Sequence, residues 1–462
     1  MAFSSFSVEG FRGFAEQQTI QLAIPNGSPG SGLTTIIGPN SGGKSTVLET
    51  IIGLSQPNGQ LPNFSEGKRN SRADGRISLS FTTNDGVSRE INTVPSGGSS
   101  VIETTPVAAP VLDRIFAIPS RRAFNPFFGK SSTTRRNYSR LYQKLEHRRG
   151  GELAFAQRLF QVVESPDAKA AFDALFAKVV EPLPDWTIDL ADGGHHYLRI
   201  NGDEIRHSSD GLGDGVVSAM FIVDALYDSS AGDLVIIDEP ELSLHPAMQR
   251  KLLALLLEFT TDRQIVFSTH SPFLISWEAF VSGGELVRVV KVEGASRIFK
   301  LSDRIRGKVK ALRNDQNNPH ILGSDAATVF FLDNKVILTE GQEDVLFLPK
   351  AARSVDRSLV GDFFGWGAGG ADKMHLVCDI LSELGFTKVV GILDGDKAAR
   401  RDQLGTDFPN FLFLCHPADD IRFKKSRPSR TSLLAEGNIE VRKEYQADFV
   451  EILGAANDYM NA

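Results

Sequence analysis

The sequence of 462 residues lacks the features that mark several classes of protein. It has two cysteines, Cys378 and Cys415, which are too few for a disulfide scaffold or for a zinc site made of cysteines. No stretch approaches the roughly 18 consecutive apolar residues of a membrane-spanning helix, and residues 1–14 lack the apolar core of a signal peptide. We therefore expect a cytoplasmic protein that has no membrane partner.

Positive charge is not in excess either. The chain has 50 Lys and Arg against 57 Asp and Glu, a net charge of −7, which excludes a histone-like protein that coats nucleic acid with its whole surface. A local basic segment is nevertheless present, because residues 121–149 contain nine basic residues, one acid and five aromatic residues. These side chains would suit phosphate contacts and base stacking on DNA or RNA. A solvated basic helix would have the same composition, so both interpretations stay open.

A nucleotide-binding loop is the clearest motif in the chain. Residues 38–45, GPNSGGKS, fit the pattern G-x-x-x-x-G-K-[ST] between a short apolar strand and a helix. In such a loop backbone amides surround the phosphates, Lys44 reaches the β- and γ-phosphates, and the Ser45 hydroxyl binds Mg²⁺. The residues that we expect to bind ATP here are Asn40, Gly43, Lys44, Ser45 and Thr46.

A strand that ends in two acids supplies the second half of that site. Residues 234–237 are continuously apolar, and Asp238 and Glu239 follow directly. We expect Asp238 to join Ser45 in the Mg²⁺ shell and Glu239 to act as the base on the attacking water.

The order of the next motifs resembles an ABC-type ATPase. Residues 208–215, SSDGLGDG, resemble a degenerate ABC signature, which would bring Ser209 and Gly211 to the ATP of an opposing subunit. Residues 243–246, SLHP, stand where that family has its D-loop, and His270 matches its switch histidine. Transporters of this class are excluded because the chain has no apolar run long enough to span a membrane.

A narrower resemblance rests on residues 11–14, FRGF, and on residues 238–246, DEPELSLHP. With them the chain resembles RecF/SMC-like heads and above all the OLD (overcoming lysogenization defect) family. The resemblance implies a homo-oligomer, dimer or tetramer, in which ATP is held between two heads and hydrolysed only there. Gln56 and Gln143 are the candidates for the family's Q-loop glutamine.

A second group of acids follows two later strands. Glu340 ends the apolar strand at 335–339, with Asp344 four residues on, and Asp394 and Asp396 end the strand at 388–393. Carboxylates gathered at neighbouring strand ends repel one another, and a hard divalent cation makes such a cluster tolerable. Bound Mg²⁺ or Mn²⁺ would activate a water and stabilise a phosphate oxyanion.

This pattern resembles a Toprim domain, the metal site of topoisomerases, primases and OLD nucleases. The resemblance implies catalytic roles for Glu340, Asp394 and Asp396. It also implies a basic residue that steadies the transition state, for which Lys424 and Lys425 are the candidates. The metal ligands that it implies are Glu340, Asp344, Asp394, Asp396 and Asp420.

The expected fold class is α/β with two catalytic units. We assign residues 1–310 to an ABC-type P-loop ATPase head that has a β-rich N-terminal part. Within it we expect an insertion on the surface at about 55–110 and a basic helical segment at about 121–180. A linker at 311–334 would then lead to a Toprim domain, Rossmann-like with a parallel sheet, and a C-terminal tail at 335–462.

Together these motifs predict an ATP-hydrolysing, divalent-metal-dependent endonuclease that cuts DNA. The resemblance implies a role in bacterial anti-phage defence, alone or as the effector of a retron or another system with a partner protein or non-coding RNA. One alternative is an ABC ATPase that clamps DNA or scaffolds a partner, with a degenerate Toprim domain. Another is a defence effector that cleaves RNA such as tRNA. DNA and RNA are both phosphodiesters, so the residues leave these alternatives open.

Overall fold

The computed structural model describes residues 1–56, 64, 66–73, 76–93, 101–105, 107–120, 158–192, 194, 196–201, 206–208, 213–315, 318–332, 334–426, 428–435, 437 and 439–462. The chain divides into two compact units, Met1–Ile298 and Phe299–Ala462. Within the described ranges, no helix is both long enough and apolar enough to cross a bilayer.

The first unit is built from strands and a few helices. Its helices are α1 Lys44–Leu54, α2 Ala109–Leu112, α3 Pro166–Phe176, α4 Asp214–Asp228, α5 Pro246–Phe259 and α6 Trp277–Ser282. Its strands, the last of which ends just beyond the unit, are β1 Phe3–Glu9, β2 Gln18–Gln21, β3 Leu33–Ile37, β4 Ser78–Thr83, β5 Ser88–Thr93, β6 Val101–Thr105, β7 Ile115–Ile118, β8 Asp185–Leu190, β9 His196–Asn201, β10 Arg206–Ser208, β11 Leu234–Asp238, β12 Gln264–Ser268, β13 Glu285–Val292 and β14 Ala295–Lys300.

A six-stranded sheet in the order β14-β13-β3-β12-β11-β7 forms the centre of this unit. The strands from β13 to β7 run parallel. Alternate side chains of β11 enter different cores: Val235 and Ile237 pack with α4 and α5, whereas Leu234 and Ile236 pack with α1 and the N-terminal strands. Because both faces of the sheet are covered, residues 234–237 of β11 are continuously apolar in sequence.

A second sheet, antiparallel and in the order β2-β1-β4-β5-β6, covers α1. We expected residues 55–110 to be a surface insertion, but β4, β5 and β6 within that range complete the sheet that β1 and β2 begin. The fully buried rings of Phe3, Phe6 and Phe81 pack together across β1 and β4. Because polar residues separate these strands, the segment resembles a surface insertion in sequence, although its strands contribute to the core.

The second unit carries a four-stranded parallel sheet in the order β16-β15-β17-β18. Its strands are β15 Lys335–Thr339, β16 Asp362–Phe363, β17 Lys388–Leu393 and β18 Leu412–Cys415. Its helices are α7 Asp303–Asp315, α8 Pro319–Leu322, α9 Ser324–Ala327, α10 Gln342–Ser354, α11 Met374–Glu383, α12 Ala398–Asp407 and α13 Gln446–Asn461. The α/β class predicted for the chain is confirmed, since strands and helices alternate around a parallel sheet in this unit and in the central sheet of the first.

Two segments of the second unit differ from the sequence interpretation. The predicted boundary at 310 and the linker 311–334 fall among helices, because α7 buries Ile305 and Val309 and pairs Arg304 with Asp379 of α11. The predicted tail contains α13, whose buried Phe449 packs with the sheet. α7 is rich in polar residues, so the apolar face that anchors it is narrow.

One buried arginine ties the end of α1 to the antiparallel sheet, and we predict a large loss of stability when it is replaced. Arg89 is fully buried, and its guanidinium donates to the Glu103 carboxylate at 2.7 Å and to the carbonyls of Leu54 and Gln56 at 2.5 and 2.7 Å. Arg89→Met leaves these acceptors without their donor, and we expect it to lower the free energy of unfolding by roughly 3–5 kcal/mol. Urea unfolding followed by tryptophan fluorescence, in a Trp366→Phe background, measures the loss in the first unit.

The matched control is Arg199→Met. Arg199 pairs with Asp189, and both side chains are partly exposed, so its loss should cost about 0–1 kcal/mol. Equal unfolding midpoints for the two variants would contradict the role given to Arg89.

Two candidate active sites

The loop between β3 and α1 has a backbone that only glycine adopts easily. Gly38 and Gly43 have φ of 133° and 119°, in the region that side chains disfavour. A Cβ on Gly38 would also lie 2.2 Å from the carbonyl oxygen of Val289 on β13. The loop therefore folds tightly against the sheet, and α1 begins at Lys44 with its first amide groups free of helical acceptors.

Lys44 lies over this loop. Its Nζ donates to the carbonyl oxygens of Gly38 and Pro39, both at 2.9 Å. Burial lowers the pKa of Lys44 to about 8, while the negative charges of Glu239 and Asp238 raise it. The ammonium group is thus held beside acids of the neighbouring strand end, where it can meet a phosphate.

Asp238 and Ser45 are brought together as the sequence predicted. The Ser45 hydroxyl donates to Asp238 Oδ1 at 3.4 Å, and the Ser268 hydroxyl donates to the same oxygen at 2.5 Å. Ser268 was not predicted from the sequence, but it stands directly opposite Asp238 in the parallel register of β11 and β12. Aligning the ends of the two strands would have found it.

Glu239 and His270 also lie side by side. Glu239 has a left-handed backbone, with φ of 49°, and its carboxylate is 3.8 Å from Nε2 of His270. Burial and the charge of Lys44 lower the pKa of His270 to about 4, so the imidazole is neutral near pH 7. The backbone N–H of His270 donates to the Glu241 carboxylate at 2.5 Å. Burial raises the pKa of Glu241. The sequence interpretation missed this residue.

The remaining residues of the predicted ATP site have different outcomes. Asn40 is exposed on the loop, and Thr46 is buried in the first turn of α1. Gln56 donates its amide to the Ile52 carbonyl at 3.1 Å, so that group caps the end of α1. The other residues predicted from the sequence lie outside the described residues: Ser209, Gly211, Gln143 and the basic residues 121–149.

The second site lies where β15 and β17 end side by side. The backbone N–H of Asp394 donates to Glu340 Oε1 at 3.0 Å, and the Gly341 N–H donates to Asp344 Oδ2 at 3.0 Å. These three acids line an open cleft of about 550 Å³. Its lining also includes Gly341, Gln342, Glu343, Gly369, Gly370, His320, Lys397, Asp420, Lys424 and Arg430.

Burial makes two acids of this cleft, Asp344 and Glu340, reluctant to ionise. Burial raises the pKa of Asp344 to about 7, and the charge of Asp394 adds to the effect. Burial also raises the pKa of Glu340, while the hydrogen bond from the Asp394 N–H lowers it. Carboxylate oxygens are the donors that a hard divalent cation prefers, and a bound cation would favour their ionised form. Among the described residues, however, no group of three or more His, Cys, Asp or Glu side chains is already arranged to hold a metal ion.

The other predicted ligands of this site face basic side chains. Arg430 donates to Asp396 at 2.6 Å, and Lys424 lies 2.7 Å from Asp420 and 2.8 Å from Glu343. Asp396 and Asp420 are thus neutralised by cations of this chain. Of the two lysines considered from the sequence, Lys424 lines the cleft.

A buried histidine completes the surroundings of Asp394. His416 follows β18, is 2% exposed, and brings Nε2 within 2.9 Å of Asp394 Oδ1. The sequence interpretation missed it. Its position after β18 could have indicated its role, because the end of β18 lies beside the end of β17.

Parts of the chain are similar to known proteins. Residues 33–276 match the family described as "AAA domain, putative AbiEii toxin, Type IV TA system". Two curated relatives are the "Endonuclease GajA" of Bacillus cereus, 26% identical over 281 residues, and the "OLD nuclease" of Thermus scotoductus, 29% identical over 157 residues. These relatives confirm the predicted resemblance to the OLD family.

The matched regions cover parts of each protein. They span 56% of this chain and 45% of the first relative, and 32% of this chain and 28% of the second. Among solved structures, the SMC head domain from Thermotoga maritima covers 65% of this chain at 14% identity and a TM-score of 0.37. The Smc head domain with an extended coiled coil, bound to a ScpA domain derived from Pyrococcus furiosus, covers 68% at 13% identity and a TM-score of 0.43. The match covers the full length of both solved chains.

Two substitutions separate ATP binding from ATP turnover. Lys44→Ala removes the ammonium group over the loop, and we expect ATP binding to be lost. Glu239→Gln keeps that group but removes the base, so ATP should still bind while phosphate release slows by roughly 10²–10⁴-fold. Binding of a fluorescent ATP analogue and release of phosphate measure the two effects.

Glu258→Gln is the matched control, because Glu258 lies on the outer side of α5 and pairs with the exposed Lys178. It should leave binding and turnover unchanged. ATP turnover at the wild-type rate in both Lys44→Ala and Glu239→Gln would refute the assignment of this site.

Proposed function

We propose that this chain, which belongs to the AAA-domain family matched by residues 33–276, binds and hydrolyses ATP in its first unit and cuts DNA in its second. The hydrogen bond from the Asp394 N–H to Glu340 is the observation that best supports nuclease activity. It joins two acids from different strand ends at an open cleft that is also lined by Lys397, Lys424 and Arg430. A phosphodiester needs both kinds of charge, acids to hold a metal and cations to meet the phosphate.

In the first unit, the roles follow from the contacts around β11. Lys44 would meet the β- and γ-phosphates of ATP, and Ser45 with Asp238 would hold Mg²⁺. Glu239 would accept a proton from the attacking water. Neutral His270 beside Glu239 would hydrogen-bond the γ-phosphate or that water. The family resemblance favours hydrolysis between two heads of a homo-oligomer, with Ser209 and Gly211 reaching the ATP of the other copy.

In the second unit, Glu340, Asp344 and Asp394 would hold the metal. When bound, Mg²⁺ or Mn²⁺ supplies a Lewis acid that lowers the pKa of a water and stabilises charge on a phosphate oxygen. His416 holds one oxygen of Asp394, which leaves the other for the metal. Lys424 is poised to stabilise the negative charge that grows on the phosphate. Asp396 and Asp420 would serve the site chiefly by orienting Arg430 and Lys424.

The names of the two relatives, an endonuclease and an OLD nuclease, support a nuclease and favour the anti-phage role inferred from the sequence. In that role the chain would act alone or as the effector of a retron or another multi-component system with a partner protein or non-coding RNA. The acids of the second unit favour it over a DNA clamp with a degenerate site, because the cleft keeps acids at both strand ends. An RNA substrate such as tRNA is the second candidate, since the same groups would cut either phosphodiester.

Removal of one acid should separate the two activities. We expect Asp394→Ala to abolish cleavage of DNA in Mg²⁺ or Mn²⁺ while ATP turnover continues, because Asp394 belongs to the second unit alone. Gel assays on plasmid DNA, phage DNA and tRNA, together with phosphate release, measure both activities. The tRNA lane decides between the two substrates.

Asp362→Ala is the control, because Asp362 is an exposed acid on the neighbouring strand β16 and should leave cleavage intact. A wild-type chain that cuts none of these substrates with any metal or nucleotide would refute the nuclease. In that case the DNA clamp would become the better proposal.

A further inference from the structure

A short loop joins β16 to the region before α11 and is pressed against the second site. In it, the Ala368 N–H donates to the Thr339 carbonyl at 2.9 Å, and the Gly370 N–H donates to the Glu340 carbonyl at 2.8 Å. A Cβ on Gly367 would lie 2.8 Å from the backbone of Gly341, the residue after Glu340. Residues 365–370, which we call the Trp loop, are therefore fixed to the strand end that carries the catalytic acid.

Trp366 in this loop exposes its ring although it is held in place. Its side chain is 45% exposed, while its Nε1 donates to Asp325 Oδ2 at 2.7 Å. His320 Nδ1 lies 3.2 Å from the Trp366 carbonyl oxygen, and His320 also lines the cleft. The polar edge of the indole is thus held by Asp325, while nearly half of the residue's surface is exposed.

The other tryptophans of the chain behave differently. The chain has three, and Trp186 and Trp277 are 1% and 6% exposed. Large aromatic side chains contribute most to stability when they are buried. An oriented and exposed tryptophan near a cleft of acids and cations is suited to bind a ligand that is flat and has apolar faces.

We propose that Trp366 is a stacking platform for a nucleobase next to the phosphodiester that is cut at Glu340 and Asp394. This inference rests on the proposed nuclease function and adds the way in which the strand is held. Apart from Gln342 and His320, the residues that line the cleft are charged or glycine, so they suit a phosphate and leave the base without a partner. Trp366 belongs to the loop whose Gly369 and Gly370 line the cleft, its carbonyl oxygen lies 3.2 Å from the lining residue His320, and its ring supplies that partner.

The hydrogen bond to Asp325 makes this platform effective. A ring that is already oriented loses little conformational freedom when a base stacks on it. Stacking does not depend on the identity of the base, because every base has a π-face. The Trp loop would therefore position a strand for cutting without selecting its sequence.

Intrinsic fluorescence tests the proposal directly. Short single-stranded DNA and RNA oligonucleotides are titrated in EDTA, which prevents cleavage, into the full wild-type chain and into Trp366→Phe. We expect quenching in the wild type that Trp366→Phe lacks, since Trp186 and Trp277 are buried. Trp366→Ala should bind the labelled oligonucleotide roughly 5- to 150-fold more weakly, the range expected for loss of one base–aromatic stack.

Two further readouts separate stacking from a structural role. Trp366→Phe keeps an aromatic face and should recover most of the binding that Trp366→Ala loses. In cleavage assays Trp366→Ala should raise KM and leave kcat nearly unchanged. Ile439→Ala removes another exposed apolar side chain of the same unit, 52% exposed, and should change none of these values.

The outcomes are distinct. Quenching by either oligonucleotide supports the proposal, whereas equal fluorescence changes in wild type and Trp366→Phe overturn it, as does wild-type binding by Trp366→Ala. Loss of self-association in Trp366→Ala with unchanged oligonucleotide binding would overturn it in favour of a contact between copies. Quenching by a chain that never cleaves would refute the nuclease and leave the stacking surface standing.

Discussion

Repulsion between carboxylates at the ends of parallel strands is the constraint on which both sites depend. Parallel strands bring their carboxyl ends to one edge of a sheet, and in each unit three neighbouring strand ends carry the site. In the first unit Lys44, Ser45 and Ser268 surround the acids after β11. In the second, the Asp394 amide, His416 and Lys424 do the same for the acids after β15 and β17.

The carboxylates of the two sites have different partners that offset their repulsion. In the first unit one buried lysine is shared by three carboxylates, so the site is ready for a ligand that brings its own negative charge and its own Mg²⁺. In the second, two of the acids already have basic partners, and Glu340 and Asp344 have raised pKa values. The cations Lys424 and Arg430 of that cleft are paired with Asp420 and Asp396, which leaves Glu340 and Asp344 as candidates for a metal ion.

The sequence was enough to predict the parts of the structure that lie close together along the chain. The loop ending at Lys44 and Ser45, the acids Asp238 and Glu239, and the strand–helix alternation were all readable because each depends on neighbours in sequence. Ser268, Glu241, His416 and Trp366 were not recognised, since each acquires its role from a strand or loop elsewhere in the fold. The segment 78–105 was misjudged for the same reason: its partner strand is β1.

The alternation along β11 limits how this protein can vary. Val235 and Ile237 face one core while Leu234 and Ile236 face the other, and Asp238 follows at a fixed step. Deleting or inserting a single residue within the strand would exchange the two faces and turn the carboxylate away from Ser45 and Ser268. Relatives can therefore differ in the lengths of their loops far more readily than in the length of this five-residue strand. The number of residues in the strand determines where Asp238 lies in the site.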